Sequence, residues 1–270
     1  MTEPSSSIKT VASASKPLLS ILIPCKNEAP TLPLALESLA IQEADFAFEV
    51  IFADGCSTDN SAEIIRQHAL NQKAAVSVMA LPPESHGMTD GWSAAAKVAC
   101  GAYLLFMQSD VRIRDTHALK KVVATFGDPE VVATSFTEVQ ADAEFAAYDF
   151  WGQVFHARHL GKRDENEFDD KFNAVRREVY ERIGGFDVEH FALGGEQFDL
   201  RVRLLEQGEI RDAGVLVEHL HGLGKRFSPI GMLKKYCRNA EVNGVTTPLY
   251  WKHRDIEPGF MRELILRLVI

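Results

Sequence analysis

Two apolar runs that each end in an acid constrain this chain more than anything else in it. Glu49-Val-Ile-Phe-Ala-Asp54 closes on Gly55, after which Ser57-Thr58-Asp59 opens a helical pattern. Further along, Ala102-Tyr-Leu-Leu-Phe-Met-Gln108-Ser-Asp110 repeats the design. A short apolar run bounded by turn residues reads as a buried strand. Acids at the C-terminal ends of such strands lie where open α/β sheets take their ligands. With no glycine-rich phosphate loop beside them, two such acids suggest a nucleotide whose diphosphate is held through a metal ion.

The rest of the first half keeps the same rhythm. Leu18–Pro24, Val50–Ala53, Val76–Ala80 and Tyr103–Met107 read as strands. Helical spacing marks Thr31–Leu39, Ser61–Leu70, Trp92–Ala99 and the Leu119/Val122/Val123/Phe126 set, with Asp59 or Asn60 available to cap the second helix. This alternation predicts a mostly parallel central sheet with helices on both faces. After Val131–Phe136 the rhythm breaks into an aromatic-rich stretch, Phe145–Leu160, and an acidic polar loop, Asp164–Asp170. Short helices follow at Arg177–Ile183 and Glu196–Gln207, then a strand at Val215–Val217. We read residues 1–16 as a disordered Ser/Ala-rich tail and 17–240 as one domain. Its nucleotide half covers about 17–136 and its acceptor half about 137–240, with a C-terminal extension over 241–270. In that extension Met261, Leu264, Ile265 and Leu268 recur at helical spacing; the segment is too short to span a bilayer, and its apolar face suits peripheral membrane contact, packing on a partner or burial against the same chain.

A formal net charge of −9 argues against nucleic acid as a partner. It leaves room for an anionic substrate, because a bound divalent cation reverses the local sign. Cys25, Cys56, Cys100 and Cys237 are scattered, which fits isolated thiols in a reducing cytoplasm better than a zinc or disulfide framework. GxGxxG after a strand, Walker A, HExxH and GxSxG are all missing, so a dehydrogenase, a P-loop enzyme, a zincin and an α/β-hydrolase drop out.

From Leu18 to Asn239 the chain resembles glycosyltransferase family 2. The resemblance rests on Ser20-Ile-Leu-Ile-Pro24-Cys-Lys-Asn27-Glu28, Asp54-Gly-Cys-Ser-Thr-Asp59, Phe106-Met-Gln108-Ser109-Asp110, Ile183-Gly-Gly-Phe-Asp187, Gly194-Gly-Glu196-Gln-Phe-Asp199 and His219-Leu-His221, in that order. It implies a GT-A (Rossmann-like) fold and transfer of a sugar from a nucleotide-diphosphate sugar, a UDP-sugar first among them. The implied acceptor is a glycan, a lipid-linked sugar or a small molecule, and the implied course is inverting. The alternatives are a nucleotidyltransferase of similar architecture and a non-catalytic sugar-nucleotide-binding protein.

Carried onto this sequence, the resemblance makes Pro24, Asn27, Glu28, Asp54, Asp59 and Ser109 nucleotide-binding residues. Asp110 becomes the ligand of Mg²⁺ or Mn²⁺, which favour carboxylate and phosphate oxygens. The sequence departs from the family's DxD here, since Gln108 stands at the first acid. His219 and His221 alternate along an extended segment, so one of them faces the cleft; the resemblance favours His221 as the second metal ligand. Glu196 is the expected general base, because Gln197 occupies the place where relatives carry an aspartate and an amide takes no proton.

Overall fold

A computed structural model describes residues 16–70, 74–85, 87–140, 142–157, 163–169, 171–191, 195–220 and 227–234, with residues 237, 240, 241 and 244. The expected N-terminal tail (apart from Lys16), the apolar segment 261–270 and His221 lie outside the described residues.

β1 (Leu19–Cys25), α1 (Leu32–Ala40), β2 (Phe48–Asp54), α2 (Ser61–Leu70), β3 (Ala75–Ala80), α3 (Met88–Val98) and β4 (Tyr103–Met107) alternate as the apolar runs predict. β5 (Val111–Ile113), α4 (Ala118–Thr125), β6 (Val131–Gln140), α5 (Asp142–Phe145) and α6 (Phe150–His156) come next. β7 (Arg163–Glu167), β8 (Phe172–Arg176), α7 (Arg177–Arg182), α8 (Glu196–Leu205) and β9 (Glu209–His219) follow. One sheet runs through both halves in the order β3-β2-β1-β4-β8-β6-β9-β5, with β7 on β6. It is parallel across β3-β2-β1-β4 and again at β6-β9, while β8 runs antiparallel to both β4 and β6.

Strand residues are buried on both sides because helices cover both. In β1, Leu19, Ile21, Ile23 and Cys25 join a core with α1, α2 and α4, whereas Leu22 points to a second core with α3, α7 and α8. β4 divides in the same way, Leu105 and Met107 to the first core and Leu104 and Phe106 to the second. This period of two is the reason the runs read as continuously apolar. In the second core, fully buried Trp92 stacks on Phe186 and its indole N–H donates to the Leu22 carbonyl at 3.1 Å.

The acidic stretch expected as a loop over Asp164–Asp170 is instead mostly strand, since β7 pairs with the β6 segment Phe136–Val139. An edge strand needs only backbone partners, and charged side chains along it discourage further pairing. No strand was foreseen over Phe172–Arg176, which is inserted between β4 and β6. Among the described residues no helix is long and apolar enough to cross a membrane.

Helix α3 approaches the sheet so closely that a Cβ on Gly91 would stand 2.7 Å from the Pro24 Cβ. Gly91→Ala is therefore expected to push Pro24 outward and lower stability by about 1–3 kcal/mol, read by urea unfolding.

Candidate functional site

At the C-terminal ends of β1, β2 and β4 lies a cavity of about 670 Å³. The strand order reverses here: β2 and β3 lie on one side of β1 and β4 on the other, the arrangement that leaves a crevice in open α/β sheets. Pro24 and Cys25 come from β1, Ala53 from β2, and Gln108, Ser109 and Asp110 from the turn after β4, with His219 opposite. Glu28 and Gly55 complete the rim on the β1–β2 side.

β5 and β9 bring the acid and the histidine together. Their antiparallel register pairs Val111 with His219, one residue beyond Asp110, and the Leu220 amide donates to the Asp110 carbonyl at 2.9 Å. His219 Nε2 stands 3.2 Å from Asp110 Oδ2, and its Nδ1 lies 3.7 Å from Glu138 Oε1 on β6. Lys171 Nζ meets Glu138 Oε2 at 3.2 Å and also pairs with Asp169. A chain of alternating charge thus runs from the cavity wall into the sheet. Burial alone would lower the His219 pKa, but the Asp110 and Glu138 carboxylates overcome it and hold the ring charged, with a pKa of about 9. Burial would raise Glu138, yet His219 and Lys171 bring it down to about 2.

Glu138 and Lys171 belong to no motif. The sequence signals only that Glu138 lies near the end of an apolar-to-polar run and that Lys171 precedes β8. The pairing has a measurable consequence. Glu138→Gln is expected to cost about 1–3 kcal/mol at neutral pH, since two half-buried cations lose a shared anion. A depressed carboxylate stabilises above its unfolded value of 4.5 and loses that contribution as pH falls toward about 2. A raised histidine stabilises below 6.5 and loses it as pH rises through about 9. The difference between wild type and variant should therefore be largest between about 4.5 and 6.5 and shrink on both sides. A difference that stays flat from acid to alkaline pH in urea titrations would contradict it.

Three of the expected nucleotide-binding residues are hydrogen-bonded within or between the loops and do not line the cavity. Asn27 Oδ1 accepts from the Thr58 amide at 2.7 Å, and the Asn27 amide donates to Ser57 Oγ at 3.0 Å. Asp54 Oδ1 accepts from Ser57 Oγ at 2.6 Å. Asp59 accepts from the Ser61 amide and hydroxyl at 3.0 and 2.6 Å and from the Ala29 amide at 3.2 Å. The hydroxyl of Ser61 in turn accepts from the Glu28 amide at 2.9 Å, so Asp59 fixes the start of α2 and the β1–α1 loop at once. Asn27 (φ 57°) and Cys56 (φ 60°) adopt left-handed backbone, which turns the two loops toward each other. Pro24, Glu28, Ser109 and Asp110, by contrast, do line the cavity.

Cys25 lines it as well but is only 3% exposed. Burial, helped by the Asp54 charge, pushes its thiol up to about 12. Maleimide labelling of the native protein is expected to modify exposed Cys56 and Cys100 and spare Cys25 until denaturant is added.

Glu196 begins α8 and is buried beside Gln197, at 6% and 8% exposure. Neither is among the cavity-lining residues, and the Gln197 amide has no hydrogen-bond partner among the described residues. The turn before them is set by Gly195, at φ 90°.

The donors facing the cavity suit a hard divalent cation that arrives with its substrate. Asp110 supplies carboxylate oxygen, and His219, held charged between Asp110 and Glu138, backs it as a cation. Among the described residues no set of three His, Cys, Asp or Glu side chains is placed to hold a metal ion. Mg²⁺-type sites commonly use one or two protein ligands and complete the shell with phosphate oxygens and water.

Residues 20–184 match the family model for "Glycosyl transferase family 2". A PGL/p-HBAD biosynthesis glycosyltransferase of Mycobacterium bovis is 28% identical over 187 residues, covering 68% of this chain and 69% of the relative. The O-antigen biosynthesis protein RfbC of Myxococcus xanthus is 29% identical over 210 residues, which are 71% of this chain and 16% of that much longer protein. Among solved structures, a mannosyltransferase from Pyrobaculum calidifontis in complex with GDP-Man and Mn²⁺ superposes with a TM-score of 0.61 at 18% identity, covering 95% of this chain and 76% of that one. Residues 1–349 of S. aureus TarS in complex with UDP-GlcNAc give 0.60 at 18% identity, covering 93% and 71%.

Proposed function

The chain belongs to glycosyl transferase family 2 and is a nucleotide-sugar transferase with the GT-A fold; from that premise we propose that it moves a sugar from a UDP-sugar to an acceptor hydroxyl with inversion. The acceptor class is a lipid-linked or surface glycan, a reading supported by the relatives named for PGL/p-HBAD and O-antigen biosynthesis. The reaction takes place in the cytoplasm, with the apolar segment 261–270 as a peripheral anchor at the inner face of the membrane.

One observation carries this reading: the cavity at the strand-order reversal, with Asp110 and His219 on its wall. In it the nucleoside lies over Pro24 and the β1–β2 rim, held in shape by the Asp54–Ser57 and Asn27–Thr58 bonds. The diphosphate faces Ser109 and Asp110. Asp110, with His219 behind it, would hold Mg²⁺ or Mn²⁺. When bound, that cation would neutralise the charge that builds on the departing nucleoside diphosphate. His219 holds the Asp110 carboxylate in place from behind. Glu196, at the start of α8, takes the proton from the acceptor hydroxyl as the anomeric carbon becomes oxocarbenium-like.

A thermal-shift panel of UDP, GDP, dTDP and CDP, each with and without Mn²⁺, tests the reading. UDP with Mn²⁺ is expected to raise the melting temperature most. Equal and metal-independent shifts with all four would overturn the donor assignment.

A further inference from the structure

Behind His219 stand three charged side chains that do not line the cavity. Glu138 Oε1 lies 3.7 Å from His219 Nδ1, Lys171 Nζ lies 3.2 Å from Glu138 Oε2, and Asp169 pairs with Lys171 in turn. The Glu138 and Lys171 side chains are only 16% and 14% exposed. Ion pairs withdrawn from water add little stability over apolar packing of the same shape, so such a row calls for a role besides holding the fold.

The row ends on Asp110, whose Oδ2 faces His219 Nε2 at 3.2 Å. Ionised carboxylates only accept hydrogen bonds, so Asp110 and Glu138 hold the imidazole between them from its two nitrogens. Lys171 reaches the same turn by a second route, because its carbonyl accepts from the Gln108 amide at 3.2 Å. Its own amide donates to Asp169 Oδ1 at 3.0 Å, and the Asp169 carbonyl accepts from the side-chain amide of fully buried Asn173 on β8. The turn after β4 is thus held through its main chain by Lys171 and through the Asp110 side chain by His219 and Glu138. A carboxylate ligand is only as well placed as the groups that orient it. We propose that Glu138, braced by Lys171, is a positioning residue for sugar transfer: acting through His219, it holds the Asp110 carboxylate in place for Mg²⁺ or Mn²⁺. This role rests on the assignment of Asp110 to the cation made under the proposed function.

The test is calorimetric titration of UDP into the full chain, with and without Mn²⁺. In Glu138→Gln the affinity measured with Mn²⁺ should fall about 10–100-fold toward the value without it, while the Mn²⁺-free affinity stays at the wild-type value. Glu138→Asp keeps the charge on a shorter arm and should recover part of the loss. Lys171→Met removes the brace but not the carbonyl that meets Gln108, and should lower the Mn²⁺-dependent affinity in the same direction. Added to Asp110→Asn, Glu138→Gln should change nothing further, since the carboxylate it positions is already gone. Far-ultraviolet dichroism checks that each variant is folded; if Glu138→Gln is not, Glu138→Asp and Lys171→Met carry the same test. The proposal is overturned if the folded variants keep the wild-type response to Mn²⁺. It is also overturned if they lose affinity equally with and without Mn²⁺, the mark of a merely structural role. Wild-type UDP binding that ignores Mn²⁺ altogether would instead remove Asp110 from the cation, and this role with it.

Discussion

Asp110→Asn is expected to remove the Mn²⁺-dependent part of UDP binding and to lower kcat/KM roughly 10³-fold, about 4 kcal/mol of transition-state stabilisation. The effect is large because Asp110 is the only carboxylate in the turn after β4, where Gln108 stands at the position of the family's first acid. Asn keeps the size and a carbonyl oxygen but loses the charge that a divalent cation needs. It also leaves imidazolium His219 facing an amide, so the variant should bind UDP equally with and without Mn²⁺. Asp54→Ala should behave differently. Asp54 shapes the β1–β2 rim through Ser57, and its loss should weaken UDP with or without the cation. Calorimetric titrations of both variants separate the two roles. Undiminished Mn²⁺ dependence in Asp110→Asn would remove Asp110 from the diphosphate.

Glu196→Gln should leave UDP affinity nearly intact and reduce turnover roughly 10²–10⁴-fold, the usual range for loss of a general base. Gln is isosteric and fits the buried first turn of α8, so a fall in rate would report the lost proton acceptor and not a collapsed helix. Gln197→Asp adds an acid beside it, at the position where the family resemblance implies one. That change is expected to raise turnover or to rescue part of Glu196→Gln. Wild-type turnover in Glu196→Gln, or a product with retained anomeric configuration, would remove the base assignment.

The β1–β4 part of the sheet was legible because parallel strands buried on both faces must be apolar at every position. Leu19–Cys25 and Tyr103–Met107 therefore stand out from any helix or loop, and their terminal residues fall at the sheet edge where the cavity forms. β7 was hidden for the opposite reason. Arg-Asp-Glu-Asn-Glu has no apolar residue to mark it as a strand, and its ladder to β6 is a tertiary pairing. Within the site, motif order located Pro24, Glu28, Ser109 and Asp110 on the cavity wall. It did not reveal that Asn27 and Asp59 spend hydrogen bonds on the facing loop, because cross-loop partners have no fixed spacing, or that Asp54 bonds locally to Ser57. The two histidines show where sequence alone runs out. Alternation required that one face inward, but the β5–β9 register, a tertiary fact, sets His219 against Asp110. Glu138 and Lys171 were invisible for the same reason, since the Asp110–His219–Glu138–Lys171 chain crosses four separate parts of the sequence.

Anomalous diffraction from a crystal of the protein with UDP and Mn²⁺ tests the central claim most directly. The account predicts a Mn²⁺ peak about 2.0–2.3 Å from an Asp110 carboxylate oxygen, shared with diphosphate oxygens, and the uracil over Pro24. A nucleotide bound outside the crevice between β1 and β4, or a Mn²⁺ peak on the diphosphate with no contact to Asp110, would contradict it.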